Sequence, residues 1–258
     1  MLARNVHALK TVGRLLAVLV LACTFLGDFP AAEKAVTEAE KLAREIGSAE
    51  ELALMLTTQA QMNYFAYGDI EKARRYLDEA VSLRATTQLQ WATTMSIFGM
   101  ARLAGVMGDL DAARSKFLES AEFAKRVGNK RLMYSCYSEL AHVLRENGQI
   151  DEPLRLYRDL LPKWRDLGHR AAVAHELECI SYLLAKQGRP GRAATLLAAA
   201  DALRKRIDST PTPMEQVEYQ KELDSLREQV EGSDFAKAWD EGHRLSMDEA
   251  ILLATRDE

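Results

Sequence analysis

The chain is poor in the residues that build anything other than helix. Its 258 residues include only 6 prolines and 14 glycines, too few for a protein of short strands and tight turns. Alanine and leucine, which favour helix, are plentiful. Cysteine is scarcer still. Cys23, Cys136 and Cys179 are odd in number and form no CxxC pair, which argues against a disulfide framework and a structural zinc site. All three fall in expected helices, so they read as buried reduced thiols. A basic excess is also missing. The formal charge of −4 gives no drive toward nucleic acid or an anionic membrane.

What is present is a rhythm. Glycines stand at Gly27, Gly68, Gly108, Gly148 and Gly188, spaced 41, 40, 40 and 40 residues apart. A second set, Gly47, Gly128 and Gly168, follows about twenty residues behind. Each period therefore holds two helices of four to five turns, separated by glycine turns. The columns agree. Eight residues before the first-set glycine stand Leu19, Ala60, Met100, Leu140 and Ile180, and four before it Cys23, Tyr64, Ala104, Leu144 and Leu184. Five after it stand Ala32, Ala73, Ala113, Pro153 and Ala193, and nine after it Val36, Leu77, Phe117, Tyr157 and Leu197. Spacings of three and four put these residues on one stripe per helix. The expected pairs span 3–47, 48–88, 89–128, 129–168 and 169–208.

This pattern resembles the tetratricopeptide repeat. Its first helix carries large, small and aromatic positions, and its second carries Ala-x-x-x-Phe, matched by Ala113 and Phe117. The period of about 40 departs from the usual 34, and the closing proline is missing. With the alanine-rich stretch Ala193–Arg204 and the tail around Phe235–Ser246, the chain is similar to the C-terminal repeat region of bacterial multidomain signal-transduction ATPases, including maltose-regulator-like transcriptional regulators. The resemblance implies an all-α, right-handed α-solenoid of about five helix pairs. It also implies a cytoplasmic protein- or peptide-binding module in signalling or transcriptional regulation.

The rhythm stops after Asp208. Residues 209–258 read as a capping unit. Ser209–Pro213 is a linker, and Thr212, Pro213 and Glu215 open a helix. Ser233 caps a helix carrying Phe235 and Trp239, and Ser246 with Glu249 forms a capping box. No such unit precedes the first helix. Leu15, Leu16, Val18, Leu19, Val20 and Leu21 make that helix apolar nearly all round, so a second copy or an upstream domain is expected to cover it. Arg4, Lys10 and Arg14 ahead of the apolar run Leu15–Leu26 also mimic a secretory signal. The run is short for a membrane span and ends where the repeat needs a turn, so a repeat helix is the preferred reading. An envelope-targeted assembly protein is the alternative.

The sequence carries no GxxxxGK[ST] loop, GxSxG, HExxH or EF-hand motif. The five histidines show no close ligand spacing; His169 and His175, six apart, are the nearest pair. No enzyme, cofactor or metal is expected. Arg155, Arg158 and Arg165 alternate with Asp159 and Asp166 and read as a solvated face, not a nucleic-acid surface. In the repeat that the chain resembles, the first helix of each pair lines a groove. The resemblance places Met62, Phe65, Phe98, Arg102, His142, Arg145 and Tyr182 there. Arg102, His142 and Arg145 would form a positive patch for a carboxylate or acidic peptide, flanked by Phe98 and Tyr182. The competing reading is a solvated groove, or one filled by the chain's own tail. A peptide or small-molecule receptor that changes curvature on binding is a further alternative.

Overall fold

The computed structural model describes residues 2–83, 90–211 and 213–256. Among these residues it contains thirteen α-helices and no strand. They are α1 Leu2–Leu26, α2 Phe29–Ile46, α3 Ala49–Tyr67, α4 Ile70–Ser82, α5 Gln90–Val106, α6 Leu110–Arg126, α7 Lys130–Glu146, α8 Asp151–Asp166, α9 Arg170–Lys186, α10 Pro190–Arg206, α11 Pro213–Gln229, α12 Gly232–Arg244 and α13 Met247–Thr255. Helices α1 to α10 follow one another two to a period of about 40 residues. The expected boundary at 88 and the Thr212 cap lie outside the described residues. The chain divides into two compact units, residues 1–129 and 130–258.

The turns are made as the glycines dictate. All eight glycines of the two sets have φ between 63° and 83°, the left-handed region that closes a helix without a Cβ clash. At Gly68 the closure is a six-to-one bond, Asp69 N–H to Asn63 C=O at 3.1 Å. The next residue then opens the following helix. Asp28, Asp69 and Asp109 each accept a backbone N–H three residues on, from Ala31, Lys72 and Ala112. Glycine followed by aspartate thus ends one helix and starts another within two residues. The glycine set continues by period to position 208. Asp208 stands there with φ 52°, the one described non-glycine residue at positive φ.

In the first unit, α3 packs against both α1 and α2 and against its own partner α4. Ala60, Ala73 and Leu77 share a core with Leu103 of α5. In α1 the column rule holds at Cys23 and fails at Leu19, where the neighbouring Val20 is buried instead. Ala17, Val20, Cys23 and Thr24 are buried, whereas Leu15, Val18 and Leu19 are 64, 64 and 47% exposed. The physical reason is the small-residue seam Gly13–Ala17–Val20–Thr24, which brings α2 close; Leu42 lies against Gly13. The larger residues are turned outward, away from the rest of the chain. Over His7–Thr24, α1 is long and apolar enough to cross a membrane by length and composition.

The second unit has one large core. Leu140, Leu144, Tyr157, Leu160, Leu177, Ile180, Leu184, Leu196 and Leu197 are all buried. Helix α12 crosses α10 at a small-residue contact, where Gly242 lies against Thr195 C=O and Ala198. Tyr219, Phe235, Trp239 and Leu253 flank the core, and Leu223 and Leu226 of α11 are buried in it. Two expectations need correction. Helix α12 starts at Gly232 with Glu231 at its cap, ahead of Ser233. Of the supposed solvated arginines, Arg158 donates from Nε to Ala254 C=O at 2.9 Å, holding the carbonyl end of α13, where cationic side chains are favoured. The Ser246–Glu249 capping box forms as read.

Candidate functional site

The expected groove residues divide by unit. In the first unit Met62 is buried beside Val20, Cys23 and Val36. It is a core residue and lines no open surface. Phe65, Phe98 and Arg102 remain half-buried on α3 and α5. The Arg102 guanidinium lies 5.7 Å from the Phe65 ring centre, a cation–π distance. Phe98 meets Phe117 edge-on at 5.4 Å. The repeat thus sets an aromatic and a cationic side chain beside each other on adjacent first helices.

In the second unit the corresponding face is occupied by α11, the occupant that the competing reading named. Arg145 is 3% exposed. Its Nη1 and Nη2 donate to the two carboxylate oxygens of Glu218, at 2.6 and 3.1 Å. Its guanidinium also lies 5.5 Å from the buried Tyr182 ring. Arg145 and Tyr182 are therefore not open to a partner in this arrangement. Burial would raise the Glu218 pKa, but the hydrogen bonds and charge of Arg145 outweigh it and hold the carboxyl below the usual range. A second buried pair lies alongside: Arg204 of α10 donates to both oxygens of Glu178 at 2.5 and 2.7 Å. His142 is half-buried, with Nε2 3.1 Å from Glu146.

Beneath these pairs is a polar centre that sequence reading did not find. Glu176 is fully buried and accepts from Ser138 Oγ at 2.6 Å and Trp164 Nε1 at 3.1 Å. Burial pushes its carboxyl up to about 7. His142, His175 and Cys179 place their ligand atoms within 4.8 Å of one another. One signal for this was legible: His175 and Cys179 are four residues apart and so share a helix face. His142 is contributed by another helix, and only packing brings it in.

Comparison with known proteins gives the class first. The chain has the fold of tetratricopeptide-like helical-repeat proteins. It superposes on BtubC (BKLC) from P. vanneervenii with a TM-score of 0.62 at 19% identity, over 82% of this chain and 91% of that one. It superposes on the nearly identical TPR-like repeats of a kinesin light chain from Podosopora anserina with a TM-score of 0.56 at 16% identity, over 76% and 97%. No family model matches the chain. In sequence it is 30% identical over 203 residues to proteins named as HTH-type transcriptional regulators from Mycobacterium bovis and Mycobacterium tuberculosis. The match takes in 76% of this chain and 22% of theirs, so the chain spans about a fifth of the length of these relatives.

Proposed function

We propose that this chain is a non-catalytic, cytoplasmic protein-binding repeat segment serving transcriptional regulation. Its recognition surface is the face of the first unit that carries Phe65, Phe98 and Arg102. The 203 residues shared with the named regulators carry the regulatory half of this reading. The repeat fold supports the binding half, because such arrays present extended faces to partners. Residues 209–258 act as the terminal cap of the array, and His142 stands at the rim of the capped face. Arg145 and Tyr182 shape that face from within. The outward Leu15, Val18 and Leu19 of α1 are a second contact area, for an upstream domain or another copy.

A photo-cross-linking phenylalanine analogue at position 98, with a matched probe at the exposed Ser115 of α6, tests the surface in the cells of origin. The expected result is a discrete protein adduct at 98, absent at 115 and lost with Arg102→Glu. Equal labelling at both positions, or an adduct indifferent to Arg102→Glu, would refute it. Unchanged transcript levels on deleting the gene would separately refute the regulatory half.

A further inference from the structure

The side chains around Cys179 meet the geometric needs of a soft metal ion. Cys179 Sγ and His175 Nε2 lie 3.7 Å apart. Two ligands of a tetrahedral zinc ion, with bonds of about 2.0–2.1 Å to nitrogen and 2.3 Å to sulfur, are separated by about 3.6 Å. The ligand atom of His142 lies within 4.8 Å of both, so closing the third bond takes a shift of about 1 Å at a half-buried ring. Glu146 Oε1 lies 3.1 Å from His142 Nε2. We propose that His142, His175 and Cys179 form a zinc-binding site.

The surroundings support this set. His175 Nδ1, on the far side of the ring from Cys179, stands 3.3 Å from Glu215 and 3.9 Å from Glu178. A carboxylate beside the non-ligating nitrogen orients a metal-bound histidine and raises its basicity. The Tyr157 hydroxyl is buried beside the Cys179 sulfur. Arg145 Nη2 lies 3.2 Å from His142 Nδ1. Arg145 also holds Glu218 by two bonds, so its contact with the His142 ring can be given up when the ring takes an ion. Burial keeps the Cys179 thiol protonated, so the ion displaces one proton on binding. One thiolate and two imidazoles select zinc over magnesium or calcium. The side chains of His142 and His175 are 18 and 27% exposed, which leaves an entry path.

The test titrates the reduced, chelator-stripped chain with Co²⁺ and then displaces it with Zn²⁺. One equivalent should give tetrahedral d–d absorption and a thiolate-to-cobalt charge-transfer band, and zinc should abolish both and raise Tm. Cys179→Ser and His175→Gln should each lose the band and the Tm rise while far-UV circular dichroism stays native. Cys23→Ser and Cys136→Ser should keep both. If one of the two site variants misfolds, the other decides. A native chain without a saturable thiolate band, or a folded Cys179→Ser that keeps it, would show that the cluster is only a buried polar network.

Discussion

The crossing of α12 over α10 offers a sharp measurement. A Cβ built on Gly242 would lie 2.1 Å from the Thr195 carbonyl oxygen and 2.7 Å from the Ala198 Cβ. Relief needs a movement of about 1–1.5 Å, since ordinary carbon–oxygen and carbon–carbon contacts are about 3.5 Å or slightly less. Neither obstacle is flexible. Thr195 C=O is backbone, and α10 is buried along Ala193–Ala200, so α12 must shift and carry Phe235 and Trp239 off the core. Overpacking of this kind costs about 1–3 kcal/mol, occasionally more. The better helix propensity of alanine returns about 0.8 kcal/mol. Gly242→Ala should therefore lose about 1 kcal/mol or more, with a Tm lower by a few degrees. Gly191→Ala is the matched control. No atom lies within 4 Å of its added Cβ, so it should be neutral or stabilising by up to about 1 kcal/mol. Thermal and urea unfolding of the two variants makes the comparison. A Gly242→Ala protein as stable as the native chain would refute the close crossing.

Other expectations follow from single residues. Asp208 holds the left-handed φ of 52° at a helix end where the other turns use glycine, so Asp208→Gly should raise stability by about 0.5–1 kcal/mol in urea unfolding. Glu176 has a folded pKa of about 7, above its ordinary 4.5, so the folded state binds the extra proton between these values. Stability from this group is full below about 4.5 and is lost as pH rises through 7. Glu176→Gln keeps both accepted hydrogen bonds without the charge. It should gain on the native chain as pH goes from 5 to 8, by up to about 3 kcal/mol. A pH-independent difference between the two would show that Glu176 stays ionised when buried.

The glycine column was readable because a left-handed turn excludes most side chains, so the demand is written into residue identity. The same holds for Asp28, Asp69 and Asp109, whose caps depend on neighbours three residues away. The face of α1 was less legible. A helix apolar all round offers several stripes, and Gly13 and Ala17 won because α2 could approach them most closely. Gly242 lies inside α12, and the demand for glycine there comes from α10 packed against it, which the local sequence does not show. Met62, Arg145 and Tyr182 fit a groove column by position. Burial of Met62 beside α1 and α2, and the presence of α11 over the other two, came from segments distant in the chain.

Local chemistry alone thus settled that this chain makes paired helices at a period of about 40, with turns at fixed glycines, because helix propensity, capping and backbone sterics act within a few residues. The tertiary structure alone decided which groove residues stay open, and that His142, His175 and Cys179 meet. Those outcomes depend on contacts such as Arg145 with Glu218, 73 residues apart. No periodicity along the sequence encodes which distant helix comes to cover a face.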